Sequence, residues 1–135
     1  MIYIASPYAH DARWVMQYRR YISSAVAAAL IESGWPAYSP LAHGSGVEQF
    51  GPVAVPQPGR WLEHCLHMVR SSSHVVGLML DGWPYSVGMR EELKLANELR
   101  KPVVLAKQGS ITDLLGQITP HIGERTIAKH PDYYG

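Results

Sequence analysis

The chain has 135 residues, of which 47% are hydrophobic and 17% are charged. This composition is typical of one globular domain with a sizeable core and unlike that of a disordered chain. A net charge of +1, with no block of lysine and arginine, excludes a basic face for nucleic acid polymers. One cysteine excludes an internal disulfide and fits a reducing compartment. The N-terminus lacks the features of a signal peptide, and no apolar run approaches the ~20 residues that cross a bilayer, so we expect a cytoplasmic protein without membrane contact.

Strand and helix patterns alternate in the first 39 residues. Residues 1–5 are apolar and predict a buried strand, which Ser6-Pro7 ends. A helix is expected from an N-cap at Asp11 to about Ser33, and residues 37–39 predict a second strand. The apolar positions that keep helical spacing in this helix are Trp14, Tyr18, Tyr21, Ala25 and Ala28.

Residues 40–59 are rich in glycine and proline and predict an irregular lid loop. A segment of this length without regular structure is usually functional or disordered in a compact domain. After it, residues 60–70 predict a helix, residues 75–80 a third strand, and residues 86–100 another helix. A fourth strand is expected at residues 102–106.

The remaining pattern is weaker. Ser110 is expected to cap a short helix over residues 111–115, and the tail of residues 117–135 predicts at most an edge strand at 125–128. Apolar strands that alternate with helices predict an α/β fold. We therefore expect one domain, residues 1–135, with a doubly wound parallel sheet of four or five strands, similar to flavodoxin and Rossmann folds.

Ligands of such sheets bind beyond the carboxyl ends of the strands. This rule places residues 5–8, 39–43 and 81–88 along one rim. Ser6, Tyr8 and His43 are therefore candidates for substrate contact, and Tyr8 can stack on a base. The chain has no GxGxxG motif and no P-loop motif, so the common dinucleotide and P-loop interpretations have no support.

Glu92 is the most unusual residue of the predicted helix 86–100. At about 100° per residue, Glu92 lies in the middle of the apolar side, beside Met89, whereas Glu91 lies on the polar side. A buried carboxylate is costly unless it is paired. Glu92 is therefore either a catalytic acid at the mouth of the sheet or the partner of an Arg or Tyr in the core, and the pattern leaves both open.

Ser86 and Gly88 lie at the start of the same helix. Backbone N–H groups and the positive end of the helix dipole attract an anion such as phosphate there. Ser86 can instead act as the N-cap. The two roles are compatible, because one serine can cap the helix in the empty state and bind a ligand in the other.

His64, Cys65 and His67 lie close together in the chain, but Cys65 falls on another side of the helix. No further ligand group has usable spacing, so we expect neither a metal nor another cofactor. A lone cysteine among Leu, Met and Val is more often core packing than a nucleophile.

Three segments together resemble a known family. They are Tyr3 in the first strand, Ser86-x-Gly88-x-x-x-Glu92-Leu93 after the third, and Lys101-Pro102-Val103-Val104. Over about residues 1–106 the chain resembles the nucleoside 2-deoxyribosyltransferase superfamily, and within it the deoxynucleoside 5′-monophosphate N-glycosidases. It looks closer still to uncharacterised phage and bacterial proteins that begin like residues 1–8 and carry a segment like Ser39-Pro-Leu-Ala-His43.

The resemblance implies a role for each matching position. Glu92 matches the nucleophile that attacks the anomeric carbon of deoxyribose, and Tyr3 matches the tyrosine that orients this glutamate. Ser86 and Gly88 match the phosphate-binding loop. The family's aspartate, which helps to protonate the departing base, is replaced here by Cys65.

This replacement puts the acid step in doubt, because a thiol is a poor general acid for a departing base. Glu63 and His64 are neighbours that project from other sides of the helix, and Asp81 in the rim loop is another candidate acid. Met89 adjoins the phosphate-binding loop and is a candidate for substrate contact.

The expected function is cleavage of the N-glycosidic bond of a 2′-deoxynucleoside 5′-monophosphate, by hydrolysis or by transfer. Ser86 favours the monophosphate, because the nucleoside-specific transferases carry an aspartate at this position. Two alternatives remain: a non-catalytic nucleotide-binding module on the same fold, and a transferase of unphosphorylated nucleosides. The resemblance also implies a homodimer or a higher homo-oligomer.

Overall fold

The computed structural model describes residues 1–51 and 58–128. Within these ranges the structure has four strands and five helices, which alternate except that two helices lie between the second and third strands. The strands are β1 (Ile2–Ala5), β2 (Ala37–Tyr38), β3 (His74–Met79) and β4 (Val103–Lys107). The helices are α1 (Arg13–Glu32), α2 (Pro40–Val47), α3 (Pro58–Arg70), α4 (Val87–Glu98) and α5 (Ile111–Ile118). Short 3-10 turns at Trp83–Tyr85 and Thr119–His121 precede α4 and follow α5.

The strands form one parallel sheet in the order β2-β1-β3-β4. This confirms the predicted doubly wound α/β architecture. In the register, Tyr3 of β1 lies beside Tyr38 of β2 and Val75 of β3. From β1 the chain first moves to one side of the sheet and later to the other, so the crevice between the carboxyl ends of β1 and β3 is where ligands of such folds bind.

The helices cover both faces of the sheet. Successive residues of a strand point to opposite faces. Accordingly Ile2 and Ile4 pack in a cluster with α1 and α5. Tyr3 and Ala5 pack in the other cluster, with α3 and α4. Within the described ranges, no helix is long and apolar enough to span a membrane.

The prediction of an irregular loop over residues 40–59 is wrong for its first part, because residues 40–47 form α2. Ser39 caps this helix by accepting a hydrogen bond from the Ala42 N–H at 3.2 Å, and proline is favourable in the first turn. Gly44 weakens the helical pattern of the sequence. A Cβ at this position would lie 3.0 Å from Cζ2 of Trp61, a tight contact that favours glycine. Residues 52–57 of the predicted lid lie outside the described part of the chain.

Other boundaries also differ from the predictions. The N-cap position of α1 is Ala12 rather than Asp11, and the Ala12 N–H donates to Nδ1 of His10. Helix α5 is three residues longer than predicted. Residues 125–128 form no strand; instead, the N–H groups of Thr126 and Ile127 donate to the Gly34 carbonyl. The last seven residues of the predicted tail, 129–135, lie outside the described ranges.

The predicted apolar face of α1 is also wrong. Trp14 and Tyr21 are 71% and 65% exposed. The residues that α1 buries are Arg19, Ile22, Ser23, Val26, Ala27 and Leu30. Tyr18 is an exception in the predicted set, because it is partly buried and packs against the core cluster. Both sets keep helical spacing, and the aliphatic side chains of α1 are the ones buried in that cluster.

Candidate active site

Glu92 and Tyr3 form a buried pair. Tyr3 is fully buried and Glu92 is 5% exposed. The Tyr3 hydroxyl donates a hydrogen bond to Oε2 of Glu92. Burial raises the pKa of Glu92 to about 8, because a low-dielectric environment disfavours the charged carboxylate. The carboxyl group is therefore mostly protonated at neutral pH and is stabilised by a specific partner.

The position of α4 makes this pair possible. Gly77 in β3 lies under α4, and a Cβ at this position would be 2.7 Å from Cδ2 of Leu105 and 3.2 Å from Cε of Met89. A side chain at this position would have to displace the ends of Leu105 and Met89, so glycine favours this close packing. The helix therefore lies near enough to the sheet for the Glu92 side chain to reach Tyr3 of β1.

A cavity of about 430 Å³, which we call the first cavity, opens at the carboxyl edge of the sheet beside this pair. Seven of the residues predicted from the sequence line it. They are Ser6, Tyr8, Cys65, Ser86, Gly88, Met89 and Glu92. Tyr3 lies behind Glu92 as its hydrogen-bond donor. The volume of the first cavity falls within the range of small-molecule sites, about 300–1,000 Å³.

Ser86 is the N-cap of α4. Its hydroxyl accepts a hydrogen bond from the Met89 N–H at 3.3 Å. The first N–H groups of a helix have no partner inside the helix, and Val87 and Gly88 of this first turn also line the first cavity. Ser86 therefore acts as the N-cap in this structure. The same end of α4 faces a space that an anion can occupy.

Cys65 lies on α3 at the wall of the first cavity and is 4% exposed. It packs in the same cluster as Val69 and Met89. Burial raises the pKa of its thiol to about 12, so the sulfur stays protonated. These surroundings fit a packing role, and they make Cys65 neither a ready nucleophile nor a ready proton donor.

The structure does not bring Asp81 or His43 to the first cavity. Asp81 lines a neighbouring cavity, described below. His43 is exposed, and its ring stacks on Trp61 with centroids 6.0 Å apart and on His64 with centroids 5.5 Å apart. The Tyr38 hydroxyl lies 3.2 Å from Nε2 of His64. This aromatic group lies next to the site, since Trp61 itself lines the first cavity.

The surroundings of His64 disfavour its charged form. Burial, then the neighbouring His43 and His67, lower its pKa. In the part of the chain that the structure describes, no group of three His, Cys, Asp or Glu side chains is placed to hold a metal ion.

Sequence reasoning missed Arg19, which is 5% exposed on α1. Its guanidinium donates to the carbonyls of Tyr8 at 3.2 Å, Ala9 at 3.0 Å and Asp81 at 2.7 Å. Arg19 thus joins the loop after β1 to the loop after β3. The sequence did carry a signal for the burial of Arg19, because Arg19 lies three residues before Ile22 and seven before Val26, on the aliphatic side of the helix.

Together these features define a doubly wound α/β protein with a buried, hydrogen-bonded acid at the carboxyl edge of its sheet. Residues 1–108 match the family model described as domain of unknown function (DUF1937), and the chain belongs to this family. The matched region contains all four strands and all of the site residues discussed above. No curated protein matches the chain.

Proposed function

We propose that this protein cleaves the N-glycosidic bond of a 2′-deoxynucleoside 5′-monophosphate, by hydrolysis or by transfer, with Glu92 as the nucleophile. The observation that carries the proposal is the Tyr3–Glu92 pair at the wall of the first cavity. A carboxyl group that is 5% exposed and still borders a cavity is costly to maintain for stability alone. Groups whose pKa is shifted by burial inside a cleft are candidates for catalysis.

The resemblance to the nucleoside 2-deoxyribosyltransferase superfamily supports the same assignment. Tyr3, Ser86, Gly88 and Glu92 are among the positions that carry it, and Tyr3 lies 89 residues before Glu92 in the chain. The fold groups all four at one cavity, three in its wall and Tyr3 directly behind Glu92. Ser86, rather than an aspartate, at the start of α4 supports a substrate with a 5′-phosphate.

In this mechanism the deoxyribose lies over Glu92, with its phosphate at the start of α4. The bond between the anomeric carbon and the base breaks through an oxocarbenium-like state. One oxygen of ionised Glu92 then bonds to the anomeric carbon, while Tyr3 holds the other oxygen. The departing base takes the electron pair of the broken bond and a proton from solvent water. In hydrolysis a water molecule then bonds to the anomeric carbon and loses a proton to solvent, while the bond to Glu92 breaks and its electron pair returns to the carboxylate. In transfer, a second base takes the place of that water molecule and loses its N–H proton in the same way.

Only the ionised form of Glu92 can attack. Because its pKa is raised to about 8, kcat/KM should increase as the pH rises towards 8. The thiol of Cys65, at the family's aspartate position, holds its proton too tightly to assist a departing base. The preferred substrates are therefore nucleotides whose bases leave readily without protonation by the protein.

The replacement of that aspartate by Cys65 favours one alternative, a module that binds nucleotides without cleaving them. The same buried wall would then serve recognition only. Affinity for a deoxynucleotide, without release of its base, is the outcome that this alternative requires.

The deciding experiment incubates the purified protein with a panel of 2′-deoxynucleoside 5′-monophosphates and measures free base by chromatography. We expect base release, and we expect Glu92→Gln to lower kcat at least about a thousandfold, as loss of a nucleophile typically does. Glu91→Gln is the matched control and should retain the wild-type rate. Equal rates in the two variants would overturn the assignment of Glu92, and tight binding without base release would support the binding module.

A further inference from the structure

A second cavity of about 410 Å³ adjoins the first on the other side of a narrow ridge. Ala9, Tyr85 and Ser86 belong to the walls of both cavities and form this ridge. The second cavity is therefore reached directly from the phosphate position of the proposed substrate. Its volume, like that of the first, lies within the range of small-molecule sites.

We propose that the second cavity binds a second nucleoside that is attached to the substrate through its 5′-phosphate. This inference rests on the proposed function for the position of that phosphate. It makes the preferred substrate a dinucleotide, of which one nucleoside enters the first cavity and is cleaved.

The aromatic side chains of the second cavity fit a base. Trp14, Tyr18 and Tyr85 line it. Trp14 is 71% exposed and Tyr85 is 86% exposed, so their rings are free to meet a ligand. Bases stack on such side chains with little regard to sequence, because every base has a π face.

The polar side chains of the second cavity fit the rest of a nucleoside. Asp81 lines it, and the Asp81 N–H donates to Oε1 of Gln108 at 2.6 Å. The Asp81 carbonyl accepts from Arg19. Because its backbone is held at both polar groups, Asp81 is anchored at the wall of the second cavity. A carboxylate so placed can accept hydrogen bonds from sugar hydroxyls or from an amino group of a base.

The charge of Arg19 fits the linking phosphate. Arg19 is 5% exposed and lines the second cavity. Its partners are three backbone carbonyls, and Arg20–Glu48 is the one ion pair between side chains of the described residues. Among the described residues no carboxylate forms an ion pair with Arg19. Burial lowers the pKa of Arg19, and the negative charge of the nearby Asp81 raises it. The guanidinium still offers positive charge to an anion at the ridge, beside the start of α4.

The test measures binding to the Glu92→Gln variant, in which the bond is expected to survive. Calorimetry compares a 2′-deoxynucleoside 5′-monophosphate with two ligands in which the same phosphate carries a second nucleoside, one through a phosphodiester and one through a diphosphate. We expect at least one of them to bind about tenfold more tightly than the monophosphate, as stacking of one base allows. Comparing the phosphodiester with the diphosphate shows which distance between the two nucleosides the ridge accepts.

A second substitution, Trp14→Ala, assigns that preference to the second cavity. It should remove most of the tenfold difference and leave the affinity for the monophosphate unchanged. Tyr21→Ala is the matched control, because Tyr21 is 65% exposed on the same helix and lines neither cavity. Equal affinities for all three ligands, or a preference that Trp14→Ala leaves intact, would overturn the inference.

Two further outcomes separate this inference from the proposed function. If the wild-type protein releases no base from any ligand, but the preference depends on Trp14, the second cavity is confirmed and the glycosidase fails. If the wild-type protein cleaves the monophosphate and binds dinucleotides no better, the glycosidase stands and the second cavity fails. A change of sedimentation coefficient in Trp14→Ala, without a change in preference, would also overturn the inference and assign this surface to contact between copies.

Discussion

The two faces of the sheet differ in what they bury. The face covered by α1 and α5 has a cluster of apolar side chains, among them Leu78 and Leu114. The face covered by α3 and α4 includes the Tyr3 hydroxyl and the Glu92 carboxyl next to its apolar residues. The face covered by α1 and α5 therefore stabilises the fold at every pH. The face covered by α3 and α4 contributes less stability, because it buries an acid beside a cavity.

The largest expected effect concerns the pH dependence of stability. The free energy of unfolding of the wild type should fall relative to that of Glu92→Gln as pH rises from about 4.5 to about 8. In this range the unfolded chain has lost the proton that the folded protein still holds. The stabilisation is complete below the unfolded pKa of 4.5 and is lost by about pH 8. The full difference has an upper limit of about 5 kcal/mol.

Urea unfolding at several pH values checks this prediction. Glu91→Gln, one position away, should keep the wild-type pH dependence. Parallel curves for the wild type and Glu92→Gln would mean that Glu92 is ionised in the folded protein at neutral pH.

A smaller effect is expected on the apolar face. Leu78→Ala empties a fully buried position and should lower the free energy of unfolding by about 2–5 kcal/mol. Since no ionisable group takes part, the loss should be the same at pH 5 and pH 8. Denaturant midpoints at the two pH values measure it. A loss that varies with pH would show that the two faces are not independent.

The smallest effect compares two helix caps. Ser86 caps α4 at the site, and Ser110 caps α5 away from it. Replacing either serine with alanine should cost about 1 kcal/mol of stability. Ser86→Ala alone should also raise KM for a 5′-monophosphate, without changing KM for the unphosphorylated nucleoside. If both variants leave KM unchanged, Ser86 is a cap only and phosphate binds elsewhere.

The strands were predictable to within a residue or two, because β1, β3 and β4 are short apolar runs between clear breaks. Helix α2 was not, since Gly44 and Gly46 lower helix propensity. Gly44 lies close to Trp61, which is distant in sequence, and this contact favours a small residue. Local patterns carry no information about such a contact.

In the candidate site too, local patterns predicted some features, whereas contacts between distant residues were not predictable from them. The helical period alone placed Glu92 on the buried side of α4, and the structure confirms its burial. The helical period left both Arg and Tyr open as its partner, the resemblance implied Tyr3, and the structure shows the hydrogen bond between Tyr3 and Glu92. The burial of Arg19 had a signal in the helical spacing of α1, but its partners are backbone carbonyls, and these have no signature in the sequence.

The anchoring of the two loops by Arg19 has an evolutionary consequence. Its acceptors are the carbonyl oxygens of residues 8, 9 and 81, and every amino acid supplies a carbonyl. Mutations at these three positions can therefore replace side chains that line the two cavities while the scaffold stays in place. Homologues can diverge in what they recognise as long as the arginine itself is retained.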